Sequence, residues 1–336
     1  MARVKKQVMI ITEEETSNFN SELGISYSID KIHQLFEADM KTRGLRIDTI
    51  KFYSRILEAF YKFIPYNTNI NEINKDTINQ YIKYSIEERG HSQGTIHTNI
   101  RGLRTFLYWA MKENYLSSFK IKVPPQNKDK LDAYTNEEIQ KLLTKPDLNK
   151  VQFGEYCAYV AINIFVYTGC RLSTAINIKI EDINFDDKVM YFRHTKNGRT
   201  HTVPIPKILT DVLKDYLKIR LQNEDSLQTN SLPLLVSVYN EQLTTDALQA
   251  LIRRYNLKRN VSKTSIHSFR RFYCKNAIMQ GLSVPKVMAL VQHSRPEILD
   301  RYVKFYTTDL EDDVEKLAES IMPIEKKPRK SIIKMN

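Results

Sequence analysis

Apolar residues in the first third of the chain recur at helical spacing. Ile32, Leu35 and Phe36 form one set, and Ile56, Leu57, Phe60 and Ile64 another, within a pattern from about Ser28 to Phe63 that Arg43-Gly44 breaks. A second helical pattern runs from Lys75 to Arg89 and stops at Gly90, with Asp76 as its expected cap. A third starts after Ser92 and passes through Ile100, Leu103, Phe106, Leu107 and Met111. Its polar face carries Arg101, Arg104 and Lys112. On their own these patterns predict a small helical bundle with a solvated basic face, and that face is a candidate for meeting phosphates.

Val123-Pro124-Pro125-Gln126-Asn127-Lys128-Asp129-Lys130 has two prolines, no periodicity and high polarity, so it reads as a linker. Beyond it, Thr135 is the expected N-cap of a helix with Glu138 at the third position. An apolar helix follows around Tyr156 to Thr168 and ends at Gly169, and a helix-length segment spans Arg171 to Ile178. Then the period changes. Ile180 to Phe185, Val189 to Thr195 and Thr200 to Ile205 read as three short strands, the last two joined by the turn-forming pair Asn197-Gly198. From Lys207 the pattern is helical again. The expected organisation is an N-terminal arm (1–27), a helical domain (28–122), a linker (123–133), a larger α+β domain with a C-terminal helix (134–324) and a basic tail (325–336). The fold class is mainly α with a small antiparallel sheet.

Charge narrows the partner. Lys and Arg number 51 against 39 Asp and Glu, a net +12, which favours a polyanion because each neutralised phosphate releases counterions. The three cysteines, Cys157, Cys170 and Cys274, are far apart, so no zinc site or disulfide framework is expected and a reducing cytosol fits. The N-terminus lacks the apolar core of a signal peptide. The most apolar stretch, Cys157 to Thr168, is interrupted by Asn163 and is too short to span a bilayer. An intracellular protein without a membrane partner is expected.

Three segments carry candidate chemistry. Arg171 follows Gly169 at a helix start. Lys196 lies near the expected hairpin tip, with Arg199 and His201 behind it. His267 and Arg270 are three residues apart on one side of a helical turn, followed at a distance by His293 and Tyr302. Arginine suits forked contacts to phosphate oxygens. Two arginines, two histidines, a lysine and a helical tyrosine would supply metal-free phosphoryl transfer: charge stabilisation, an in-line nucleophile and an acid for the leaving oxygen. Each residue alone is more simply a surface or packing residue; their joint order is what points to chemistry.

That order resembles the catalytic domain of the tyrosine recombinase, or phage integrase, family. The family's T-G-x-R-x-S-E box reads Thr168-Gly169-Cys170-Arg171-Leu172-Ser173-Thr174. Its hairpin box is matched by Lys196, eight residues before Pro204, with Arg199, His201 and Val203 in place. His267-Ser268-Phe269-Arg270 matches H-x-L-R, Gln292-His293-Ser294 matches G-H-S, and the family tyrosine, nine residues after that histidine, falls on Tyr302. The first half is similar in architecture to the family's SAM-like core-binding domain.

The resemblance implies a two-domain recombinase that needs neither metal, ATP nor other cofactor. Arg171 and Arg270 would clamp the scissile phosphate. His267 would hydrogen-bond it and accept the tyrosine proton, and His293 would donate to a non-bridging oxygen. Lys196 would protonate the departing 5′ oxygen, and Tyr302 would attack phosphorus to leave a 3′-phosphotyrosine. Arg101, Arg104, Lys112, Arg199 and His201 are the expected DNA contacts. The implied partners are double-stranded DNA with inverted-repeat sites and three further copies of the chain, in a homo-tetramer whose acidic C-terminal segment, Thr308 to Ile321, docks on a neighbour. Integration or excision of a mobile element is the expected role, in a prokaryotic cytosol and on the nucleoid when bound. Thr174 departs from the family's acid, a loss that Glu181 or Asp182 could offset, and Gln292 departs from its glycine. Tyr306, one turn beyond Tyr302, is a rival nucleophile. A type IB topoisomerase-like relaxing enzyme and a catalytically degenerate DNA-binding protein are the alternatives.

Overall fold

The computed structural model describes residues 27–126, 133–193, 200–222, 231–292 and Val314. The chain divides into two compact units, Met1–Asp129 and Lys130–Asn336. Among the described residues, no helix is long and apolar enough to cross a membrane.

The first unit holds α1 (Ile29–Thr42), α2 (Ile47–Tyr61), α3 (Lys75–Glu87) and α4 (Gln93–Lys112). The leading helical pattern is thus two helices, and Gly44 at φ +67° makes the break between them. Ser28 caps α1 by accepting from the Lys31 amide, and Ser92 caps α4 by accepting from Thr95. Asp76 does not cap α3. Asn74 does: its side chain accepts from the Asp76 and Thr77 amides, and Thr77 Oγ1 accepts from the Asn74 amide in return. Asp76 lies in the first turn instead, where a carboxylate favours the helix dipole. Each helix buries its predicted stripe, and α4 contributes most to the core through Ile96, Ile100, Leu103, Phe106, Leu107 and Ala110. Phe36 of α1 meets Tyr53, Phe106 and Trp109 through edge and tilted ring contacts at 5.1–5.5 Å.

The second unit is organised around α6 (Phe153–Thr168), which is buried along nearly its whole surface. Asn163 and Thr168 are tolerated there because each bonds back to its own helix, to the carbonyls of Tyr159 and Ile164. Around it pack α8 (Lys207–Arg220), α9 (Thr245–Lys258) and α10 (Ile266–Met279), with α5 (Asn136–Leu143) nearby. The predicted Thr135–Glu138 capping box of α5 is formed reciprocally. α11 (Val284–Val291) packs on α10.

Two elements are shorter than the sequence predicts. The segment from Arg171 makes only a short helix, α7 (Leu172–Ala175). The first expected strand is mostly a 3-10 turn, Ile180–Asp182, followed by β1 (Ile183–Asn184). The cause is Asp182, whose buried carboxylate accepts from the Lys179 amide and from Arg193 Nε, curling the backbone into a turn. β2 (Val189–Phe192) and β3 (His201–Pro204) complete an antiparallel sheet of order β1-β2-β3, with Met190 opposite Val203 and Phe192 opposite His201. The Asn197-Gly198 turn lies outside the described residues, as do the N-terminal arm up to residue 26 and the basic tail.

Gly102 of α4 faces Ile56 of α2 so closely that a Cβ there would lie 2.1 Å from Ile56 Cδ1. Gly102→Ala is expected to destabilise the protein by up to about 2 kcal/mol, overpacking outweighing the helix propensity gained. Adding Ile56→Val, which removes the clashing carbon, should restore part of that loss in urea melts; no recovery would place the strain elsewhere.

Candidate active site

The site is assembled where α6 ends. Gly169 caps α6 in the left-handed conformation at φ +60°, and a Cβ there would come within 2.6 Å of the Tyr273 ring. The chain then turns outward through buried Cys170 to Arg171, the N-cap residue of α7. Arg171 lines two adjoining hollows. One is a cleft of about 260 Å³ shared with Leu172, Gln249, Thr264, Ser265, Ile266 and His267. The other is a small hollow shared with Thr174, Phe192, His201, Arg270, Leu290, Val291 and Gln292. Neither lining contains a carboxylate among the described residues.

Arg270 is almost fully buried, at 2% exposure. Its Nη1 donates to the Gly169 carbonyl at 2.6 Å, and its Nη2 donates to the Val291 carbonyl. These are the C-terminal ends of α6 and α11, so the guanidinium is held by two helix ends of negative polarity. Arg271, also buried, donates from Nη1 to Ser268 Oγ at 3.4 Å.

His267 keeps an exposed edge, but its ring sits in a crowded mouth. Desolvation, and then the guanidinium groups of Arg271, Arg270 and Arg171, push its pKa down from 6.5 to about 4. It is therefore a neutral imidazole at neutral pH, able to accept a proton. The unfolded chain binds this proton first, so the folded state loses stability as pH falls from 6.5 towards about 4 and loses no more below. Burial pushes the Cys170 thiol up to about 11, which keeps it protonated and unreactive.

The structure thus brings Arg171, His267, Arg270 and His201 together. Lys196, Arg199, His293, Tyr302, Tyr306 and the Thr308–Ile321 segment save Val314 lie outside the described residues. His201 is half-buried, and its ring Nε2 lies 3.1 Å from the Leu290 carbonyl oxygen. Neither Glu181 nor Asp182 lines either hollow, and Asp182 is engaged by Arg193 and Lys179, so it does not stand in for the acid replaced by Thr174. Main-chain carbonyls hold Arg270 instead. Residue types reveal no carbonyl ligand, which is why sequence reading missed Gly169 and Val291. Gln249, Thr264 and Ser265 were also missed, because polar residues of that kind are common on any surface. On α4, Arg101 and Lys112 are exposed and Arg104 lies over the exposed Tyr108 ring at 5.9 Å, so the three cations and the tyrosine follow one stripe.

Gln292 caps α11 with φ +51° and ψ +50°, a left-handed conformation that suits glycine. That geometry accounts for the glycine this position carries in the motif it otherwise matches.

Comparison with known proteins bears on the whole chain. The model described as the phage integrase family matches residues 133–308, and that described as the phage integrase N-terminal SAM-like domain matches residues 32–116. Tyrosine recombinase XerD of Staphylococcus haemolyticus is 26% identical over 261 residues, covering 75% of this chain and 86% of that protein. Among solved structures, a lambda integrase dimer bound to a COC′ core site has TM-score 0.66 at 17% identity, covering 87% of this chain and 81% of that one. The Tn1549 transposon integrase in complex with a circular intermediate DNA has TM-score 0.67 at 16% identity, covering 88% and 100%. These structures share the fold.

In an NMR titration of the free protein, the His267 ring is expected to stay neutral to about pH 4 and to take up its proton at higher pH once duplex DNA is bound. A free-protein midpoint near 6.5 would mean that neither burial nor the guanidinium groups act on the ring. Separately, Gln292→Gly should raise stability by about 1 kcal/mol by relieving the left-handed strain; an unchanged or lower melting temperature would contradict that conformation.

Proposed function

Because the chain belongs to the phage integrase family of tyrosine recombinases, we propose that this DNA strand-transferring enzyme works through Arg171, Lys196, His267, Arg270, His293 and Tyr302. The carrying observation is that Arg171 is shared by two hollows without a carboxylate among the described residues, one containing His267 and the other Arg270. A phosphodiester seated there meets two guanidinium groups in a partly desolvated setting, where charge stabilisation is strongest. Its negative charge also offsets the cations that depress His267, readying that imidazole for a proton.

The Tyr302 phenol attacks phosphorus and its proton passes to His267. The bond to the 5′ oxygen breaks, and that oxygen takes a proton from the Lys196 ammonium. The product is a 3′-phosphotyrosine and a free 5′ hydroxyl. The linkage keeps the energy of the phosphodiester, so attack by an incoming 5′ hydroxyl reverses the step without ATP. His293 donates to a non-bridging oxygen. The stripe of Arg101, Arg104 and Lys112 on α4 supports a phosphate-gripping role for the helical domain, residues 28–122; Arg199 adds a further contact.

The substrate in this reading is double-stranded DNA with inverted-repeat sites, held by four copies of the chain. Each copy's C-terminal segment docks on a neighbour to close the ring. A lambda integrase tetramer bound to a Holliday junction is among the structures of similar fold, at TM-score 0.67. Integration or excision of a mobile element fits the departures at Thr174 and Gln292 better than chromosome resolution, the reaction of a housekeeping enzyme with standard boxes. The setting is the cytosol, on the nucleoid.

Nicked suicide duplexes carrying the inverted repeats that flank the gene should trap a covalent protein–DNA adduct. Tyr302→Phe is expected to abolish it and Tyr306→Phe to retain it. The reverse pattern would move the nucleophile one helical turn, and an adduct surviving both changes would defeat the assignment.

A further inference from the structure

The reaction requires the ammonium of Lys196 and the imidazole of His293 at one phosphorus atom, yet they belong to different parts of the chain. Lys196 lies between β2 and β3, and His293 directly follows Gln292, the C-cap of α11. Something must fix the distance between the hairpin and the end of that helix.

Two side chains grip that helix end. His201 Nε2 is 3.1 Å from the Leu290 carbonyl oxygen. A carbonyl can only accept, so this nitrogen carries the proton and donates it. Arg270 donates to the carbonyl of the next residue, Val291. Adjacent carbonyls are thus held from two sides just before the left-handed turn at Gln292. His201 opens β3, pairs with Phe192 across the ladder and has its ring 6.3 Å from the Phe192 ring. It is half-buried and lines the hollow that contains Arg171 and Arg270. A short, planar side chain with two rotatable bonds fixes a separation that a lysine, with its longer flexible stem, would leave loose.

We propose that His201 is a positioning residue: its bond to the Leu290 carbonyl sets the register between β3 and the end of α11, where Arg270 is held, and so delivers the general acid Lys196 to the phosphate that Arg270 receives. The inference rests on the acid role given to Lys196 above. It replaces a DNA-contacting role for His201 with one exerted inside the protein.

The test uses the full chain and the nicked duplex in two forms, one natural and one with sulfur in place of the bridging 5′ oxygen. In the sulfur form the P–S bond breaks as Tyr302 attacks, and the thiolate leaves with the electron pair and needs no acid. His201→Leu is expected to slow cleavage of the natural duplex about tenfold or more, within the range that general acids contribute, and to cut the sulfur duplex near the wild-type rate. His201→Gln, whose amide retains a donor at similar reach, should restore cleavage of the natural duplex, and DNA affinity should be unchanged in both variants. Should the leucine variant fail to fold, His201→Asn, whose shorter amide falls short of the carbonyl, is expected to behave as predicted for it.

Equal slowing on both duplexes would overturn the proposal, as would lost affinity with an intact rate in the bound complex, or wild-type cleavage by the leucine variant. Lys196→Ala, run alongside, reports on the acid itself. Slow on oxygen and restored on sulfur, it upholds that role independently of His201. If sulfur does not restore it, the acid assignment and the positioning proposal fall together.

Discussion

The guanidinium of Arg270 is a full charge taken almost completely out of water, and such a charge persists only where other groups replace its solvation. Here the replacement comes from main-chain oxygens at the C-terminal ends of α6 and α11. Helix ends carry partial negative charge, roughly half an electron each, so the pair offsets the guanidinium without protonatable groups. The arrangement has two effects at once. It ties together two helices that are far apart in sequence, and it leaves the neighbouring hollow positive, with no carboxylate in its lining among the described residues.

That positive bias organises the other site residues. His267 is kept neutral first by desolvation and then by the same cations that would receive a phosphate. Thr174, buried beside Arg171 and Arg270, adds no opposing charge. The acid usual in the family at this position would share the task of holding the cationic network; this chain gives Arg270 to backbone dipoles, whose polarity is insensitive to pH.

Much of the architecture was legible because it follows from local rules. The stripes of α1, α2 and α4, the cap at Thr135, and the apolar α6 ending at Gly169 depend on neighbours within a turn or two. The grouping of Arg171, His267 and Arg270 was legible only from their order along the chain. What could not be read depends on contacts between distant segments. Asp182 curls a predicted strand because Arg193 reaches it, and the contact of His201 with the Leu290 carbonyl joins segments 89 residues apart. Asp76 is a residue type that caps helices, yet Asn74, with an extended backbone, takes that place.

The burial of α6 on nearly every side carries a thermodynamic consequence for the enzyme. Helices α8, α9 and α10 all lean on this one central rod, and Arg171 and Arg270 take their positions from its final turn. The part of the catalytic floor that carries Arg171 and Arg270 therefore cannot loosen without disturbing α6. Heat or denaturant should therefore extinguish phosphate capture together with the unfolding of α6 and the helices packed on it.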